Sequence, residues 1–182
     1  MKIPLVEMPE KSKYARIERE RRFLLDGFPE GVKVSQVRRI TDRYVEGTTL
    51  RLREMTDESG QTVFKFTQKL PAAGNGAEQG FITNIYLTRE EFDVLAQLPA
   101  RTLKKTRYSV PPFGIDVFEE SLEGLVLAEA EFDSDQAADE LRIPSYIARE
   151  VTADRRFTGG SLVGASRSEL KDWLLEYGVK LI

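Results

Sequence analysis

Glu18, Glu20 and Arg22 are spaced two residues apart in the run Arg16-Ile-Glu-Arg-Glu-Arg-Arg-Phe-Leu-Leu25. In an extended segment, side chains two apart project from the same face. Two carboxylates and a guanidinium would then stand together. Carboxylates paired at this spacing can share a hard divalent cation, which takes oxygen ligands. The adjacent guanidinium would meet the anionic groups of whatever that cation holds. Taken alone, the triplet reads more simply as a solvated strand face or a salt-bridge ladder, because charged runs usually face water. The rest of the chain has to decide.

Composition narrows the chemistry. The 182 residues contain no cysteine and no histidine. Disulfides, thiol nucleophiles, Cys/His zinc sites and Ser-His-Asp arrangements are therefore excluded. A metal would have to be held by oxygen, and a general base would have to be a carboxylate, a lysine, a tyrosine or a water. The net charge of −3, from 27 basic and 30 acidic residues, gives no bulk attraction for a nucleic-acid polymer but leaves room for local patches of either sign. The amino terminus has no signal-like apolar core, and no apolar run is long enough for a membrane span. A cytoplasmic protein is expected, with one domain over 1–182.

The elements that must position these groups read mostly as strands. Candidates lie at 14–25, 34–45, 48–55, 61–69, 80–87, 102–110, 113–120 and 124–132. Leu50 and Leu52 alternate with Thr49, Arg51 and Arg53, and Phe64 and Phe66 alternate with Val63, Lys65, Thr67 and Lys69. That is period-two patterning. Asp57-Glu-Ser-Gly60 marks a hairpin turn, and 71–80 reads as a loop rich in glycine. Thr88-Arg-Glu-Glu91 is a capping box opening a helix, and a short helix is expected near 134–141. A final helix at about 167–177 carries Leu170, Trp173, Leu174 and Tyr177 on one stripe, which should pack on the wall of the sheet. The fold class is α+β, mainly antiparallel β, with about eight strands in a closed or strongly curved sheet.

Sorting strands by face puts charge on one parity: Glu18, Glu20 and Arg22; Arg51 and Arg53; Lys65 and Lys69; Lys105 and Arg107; Asp116; Glu129 and Glu131. An ordinary sheet with its charged face in water accounts for this pattern. The alternative is a barrel with the charged face inward, which requires that the ions pair or bind a ligand.

The ordered motifs resemble those of a known family. Glu18-Arg-Glu-Arg-Arg22-Phe looks like the Glu-x-Glu-x-Lys signature of the CYTH, or triphosphate tunnel metalloenzyme, superfamily. It is followed in order by Thr48-Thr-Leu-Arg-Leu-Arg53, Phe64-Lys-Phe-Thr-Gln-Lys69, Lys105-Thr-Arg-Tyr108, Ile115-Asp-Val-Phe-Glu119, Gly124-Leu-Val-Leu-Ala-Glu-Ala-Glu131 and Arg149-Glu-Val-Thr152. The resemblance implies an eight-stranded antiparallel tunnel over about 14–160 and magnesium- or manganese-dependent chemistry on a triphosphate. By position, Glu18, Glu20, Glu129, Glu131 and Asp116 resemble the metal ligands. Arg22, Arg51, Arg53, Lys65, Lys69 and Arg107 resemble the phosphate-holding residues, and Lys105 and Glu20 the catalytic ones.

Two departures bear on function. Arg22 stands where the signature has lysine, and arginine does not accept a proton. The fifth strand presents neutral Asn84 and Tyr86 where many relatives have acidic residues. Hydrolysis of inorganic triphosphate or a small organic triphosphate is the expected activity. An adenylate cyclase acting on ATP and a non-catalytic polyphosphate- or nucleotide-binding module are the alternatives. A triphosphate-containing small molecule is the expected partner, with no membrane and no nucleic acid, and a homodimer is left open.

Overall fold

A computed structural model describes residues 14–71 and 78–181; residues 1–13, which include the amino-terminal stretch 1–9, residues 72–77 of the loop expected at 71–80, and residue 182 lie outside the described residues. The strands are β1 (Arg16–Leu24), β2 (Gln36–Val45), β3 (Leu50–Asp57), β4 (Thr62–Pro71), β5 (Glu78–Leu87), β6 (Ala100–Val110), β7 (Phe113–Phe118), β8 (Val126–Glu131) and β9 (Arg149–Glu150). The helices are α1 (Arg89–Leu95), α2 (Asp135–Asp139), α3 (Gly159–Leu162) and α4 (Arg167–Glu176). The sheet runs β5-β4-β3-β2-β6-β7-β8-β1, and β5 also pairs with β1, so eight antiparallel strands close into a barrel. The two-residue β9 adds to β1 at Phe23 and Leu24. It is too short to leave a periodicity in the sequence, as is four-residue α3.

Register decides which face lines the bore. Directly opposed residues in an antiparallel pair share a face. Glu20 opposes Glu131 and Arg22 opposes Glu129; Arg107 opposes Asp116; Asp42 opposes Arg53; Arg53 opposes Lys65; Lys65 opposes Tyr86. Followed round the ring, this one parity is the interior. The charged face is inward, and the apolar parity lies outside under the helices.

Two outer clusters hold the wall. Leu52 and Phe64 on β3 and β4 pack against Phe92 of α1. The Thr88 hydroxyl accepts from Glu91 N–H at 3.2 Å, and the Glu91 carboxylate accepts from Thr88 N–H at 2.8 Å. This capping box satisfies amides the first turn would leave open. On the far side, Phe23, Ile115, Ala128 and Ala130 are covered by Val32, Val34, Leu141, Tyr146 and Ile147.

The third cluster is different. Leu24, Leu103, Phe118 and Leu127 have lumen parity, yet they pack with Phe157, Leu162, Leu170 and Leu174 of the carboxyl-terminal segment. The α4 stripe therefore stops one end of the bore instead of lying on the outer wall, with Trp173 and Tyr177 edge-on to Phe157 at its margin. Fully burying each such leucine contributes roughly 1.5–3 kcal/mol. α3 approaches this end closely: a Cβ on Gly159 would lie 2.0 Å from Tyr44 Oη, so any larger residue there would have to displace the Tyr44 ring. Among the described residues, no helix is long and apolar enough to cross a membrane.

Candidate active site

Each wall of the bore contributes a charged row because its strand alternates. β3 supplies Arg51 and Arg53, β4 supplies Lys65 and Lys69, and β6 supplies Lys105 and Arg107. Acidic groups come from β1 (Glu18, Glu20), β8 (Glu129, Glu131), β7 (Asp116) and β2 (Asp42). All the site residues expected from the sequence share the lumen parity. Glu20, Arg22, Arg51, Arg53, Lys105 and Asp116 are buried there, while Glu131 is exposed.

The opposite charges neutralise one another in distinct groups. Asp116 accepts from Arg107 Nε and Nη2, each at 2.6 Å, and also from the Lys105 ammonium. Arg107 further donates to Glu129. It reaches both carboxylates by lying across Gly114, where a Cβ would come within 3.2 Å of Arg107 Cδ. Asp42 is gripped by Arg53 at 2.6 and 2.7 Å. Lys69 donates to Glu18 at 2.6 Å. Arg22 donates to Glu20 at 2.8 Å and to the Thr152 carbonyl at 3.0 Å, and its backbone N–H donates to the Thr152 hydroxyl at 3.0 Å. The signature arginine thus ties β1 to the segment after β9.

The shifts in ionisation follow these contacts. Glu20 is pushed up to about 7 by burial and by Glu129 and Glu18, against the pull of Lys69 and Arg22. Burial would also raise Glu129, but Lys105, Arg107 and Lys69 outweigh it and hold this carboxyl well below its ordinary range. Asp42 shows the same balance, with burial overcome by Arg53 and Arg51. Lys65 is lowered by burial and by the like charges of Arg53 and Arg51. For Lys69, burial is outweighed by Glu20 and Glu18, and the amine is raised.

Sequence reasoning missed Asp42, Thr67 and Thr152. Asp42 lies in a strand whose lumen positions Arg38, Ile40, Asp42 and Tyr44 mix charged with apolar types, so alternation gave no signal. Opposition to Arg53 exposes its role, and that depends on register.

The donor chemistry fits a hard divalent ion. Glu18, Glu20, Glu129 and Glu131 lie on adjacent strands β1 and β8 and supply only carboxylate oxygens. Among the described residues, no three acidic groups already converge as a metal cage. Glu18, Glu20 and Glu129 are each occupied by a basic partner, so an ion would replace those contacts.

No family model matches the chain. The chain is 33% identical over 155 residues to the inorganic triphosphatase of Nitrosomonas europaea, a match spanning 80% of this chain and 95% of that protein. The solved structure of the inorganic triphosphatase NE1496 is similar at a TM-score of 0.53, with 26% identity over 81% of this chain and 95% of that one. A second structure, described as hypothetical protein NE1496, also gives a TM-score of 0.53, with 28% identity over 82% of this chain and 99% of that one. A shared barrel and a third of its residues in common with a relative over four-fifths of its length show that the chain belongs to the CYTH, or triphosphate tunnel metalloenzyme, superfamily.

Proposed function

We propose that this protein hydrolyses a triphosphate, inorganic triphosphate first among the candidates, inside the charged bore. Enzymes of this superfamily are generally divalent-metal-dependent. The observation that supports the reading most is the division of the bore. Basic rows on β3, β4 and β6 surround a space whose acidic wall is β1 and β8. A triphosphate needs both: cations for its oxygens, and carboxylates for the ion that travels with it.

In this reading Arg51, Arg53, Lys65, Lys69 and Arg107 hold phosphate oxygens, with guanidinium groups offering paired donors. Arg22 adds positive charge at the acidic wall while anchoring it to Thr152. Glu18, Glu20, Glu129 and Glu131 would hold magnesium or manganese, and Asp116 orients Lys105 and Arg107. A bound ion would supply charge neutralisation at the phosphate oxygens and lower the barrier to water attack. Water adds to a terminal phosphorus: one P–O bond forms, the anhydride P–O bond breaks, and pyrophosphate leaves. Lys105 and Glu20 are assigned to positioning that water, and its proton passes to solvent. Positioning and charge stabilisation are sufficient, because phosphoryl transfer asks little covalent work of the protein.

Phosphate release from inorganic triphosphate, with magnesium or manganese and then with chelator, tests the proposal. Metal-dependent release is expected, and its absence with every divalent ion would remove the assignment. Running ATP in parallel and identifying the products separates hydrolysis from cyclisation.

A further inference from the structure

We infer that Thr67 and Asn84 act as positioning residues, fixing the Arg51 guanidinium and keeping its charge available for a phosphate oxygen. The inference rests on the triphosphatase reading above. Arg51 is 8% exposed, yet it is poorly satisfied. Its Nε makes no hydrogen bond and lies 3.6 Å from Asp42 Oδ1, a carboxylate already gripped on both oxygens by Arg53. Its Nη2 reaches Thr67 Oγ1 at 3.4 Å. Arg53 and Arg107, by contrast, each make close paired bonds to a carboxylate. A buried polar group left short of partners is costly, so a native structure keeps one for a reason. Here the missing acceptor matches an anionic oxygen entering the bore.

The relay that holds this state runs across three strands. Thr67 is 0% exposed and stands opposite Arg51 on β3 and opposite Asn84 on β5. A hydroxyl has one proton to give. Thr67 donates it to Asn84 Oδ1 at 2.8 Å and so turns a lone pair toward Arg51 Nη2. Without that acceptor the proton could swing toward the guanidinium and repel it. An aspartate at 84 would accept the same hydrogen bond, but its charge would offset the cation. The neutral amide sets the hydroxyl direction and leaves the field of Arg51 intact.

Calorimetric titration with inorganic triphosphate in chelator, together with kcat and KM in magnesium, tests this on Thr67→Val, Thr67→Ser and Asn84→Asp. Thr67→Val removes the hydroxyl at nearly constant volume. It should raise Kd and KM about tenfold while kcat stays within about twofold, the signature of lost uniform binding. Thr67→Ser should restore the wild-type values, which a packing role for the methyl group would not allow. Asn84→Asp, at an exposed position, should weaken metal-free binding at least as much as Thr67→Val. Wild-type turnover with both Kd and KM unchanged in Thr67→Val and Asn84→Asp would overturn this inference alone. A wild-type protein that neither binds nor hydrolyses triphosphate would overturn the functional reading and this inference with it.

Discussion

Asp42 and Glu20 stand on β2 and β1, four strands apart in either direction round the ring, and both are almost wholly buried. Their neighbours drive them in opposite directions. Asp42 has a close paired contact with Arg53 and a longer one with Arg51, and it stays ionised far into acid. Glu20 has one guanidinium bond, from Arg22, and the more distant charge of Lys69, and burial together with Glu129 and Glu18 outweighs both. The same burial therefore yields a settled counter-ion on one wall and a carboxylate short of positive charge on the other. A buried acid with a surplus of cations belongs to the architecture. One with a surplus of acids is suited to take up a cation from outside.

The largest expected effect is on turnover. Glu20→Gln or Glu129→Gln should cut metal-dependent phosphate release roughly a thousandfold, since the charge stabilisation from a bound ion is worth several kcal/mol. Circular dichroism should show the fold retained. Undiminished release in both variants would erase the contrast between the two walls. Next is stability. Asp42→Asn leaves two arginines without their buried partner and should cost about 3–5 kcal/mol in urea unfolding, whereas Glu20→Gln in chelator should cost far less.

The pH dependence sharpens the same point. The stability Asp42 contributes is complete above the ordinary carboxylate range and is lost only as strong acid protonates it in the folded chain. The contribution of Glu20 has the opposite sign. It is present below 4.5 and lost as pH rises through about 7. Glu20→Gln should therefore flatten a metal-free decline in stability across that window. An equal decline in wild type and variant would assign it elsewhere. The smallest effect is expected from Arg22→Lys, which gives up the guanidinium bond to the Thr152 carbonyl, about 0.5–1.5 kcal/mol by thermal unfolding.

Much of this was legible in the chain. Arg51 and Arg53 alternating with Leu50 and Leu52 announce β3, and Lys65 and Lys69 alternating with Phe64 and Phe66 announce β4. Those rows, read with the ordered motifs, located the bore. Period two shows that a strand has a charged face, but it does not say whether that face meets water or a lumen. Closure through β5–β1 settles this, and closure is a long-range fact. Asp42 was missed for a related reason: a single acid in a mixed strand gains meaning only from the residue across the ladder. The α4 stripe was equally plain, yet a stripe reports that a helix packs without naming the surface it packs on. Its partners Leu24, Leu103 and Leu127 come from three different strands.

The carboxyl-terminal stopper has a consequence for traffic. A bore closed at that end by leucines and Phe157 would be a cul-de-sac, and reactant, ion and products would then share the opposite doorway. Pyrophosphate would have to back out past the residues that admitted its parent. Turnover would then be paced by departure, and the leaving anion would compete with the next arrival.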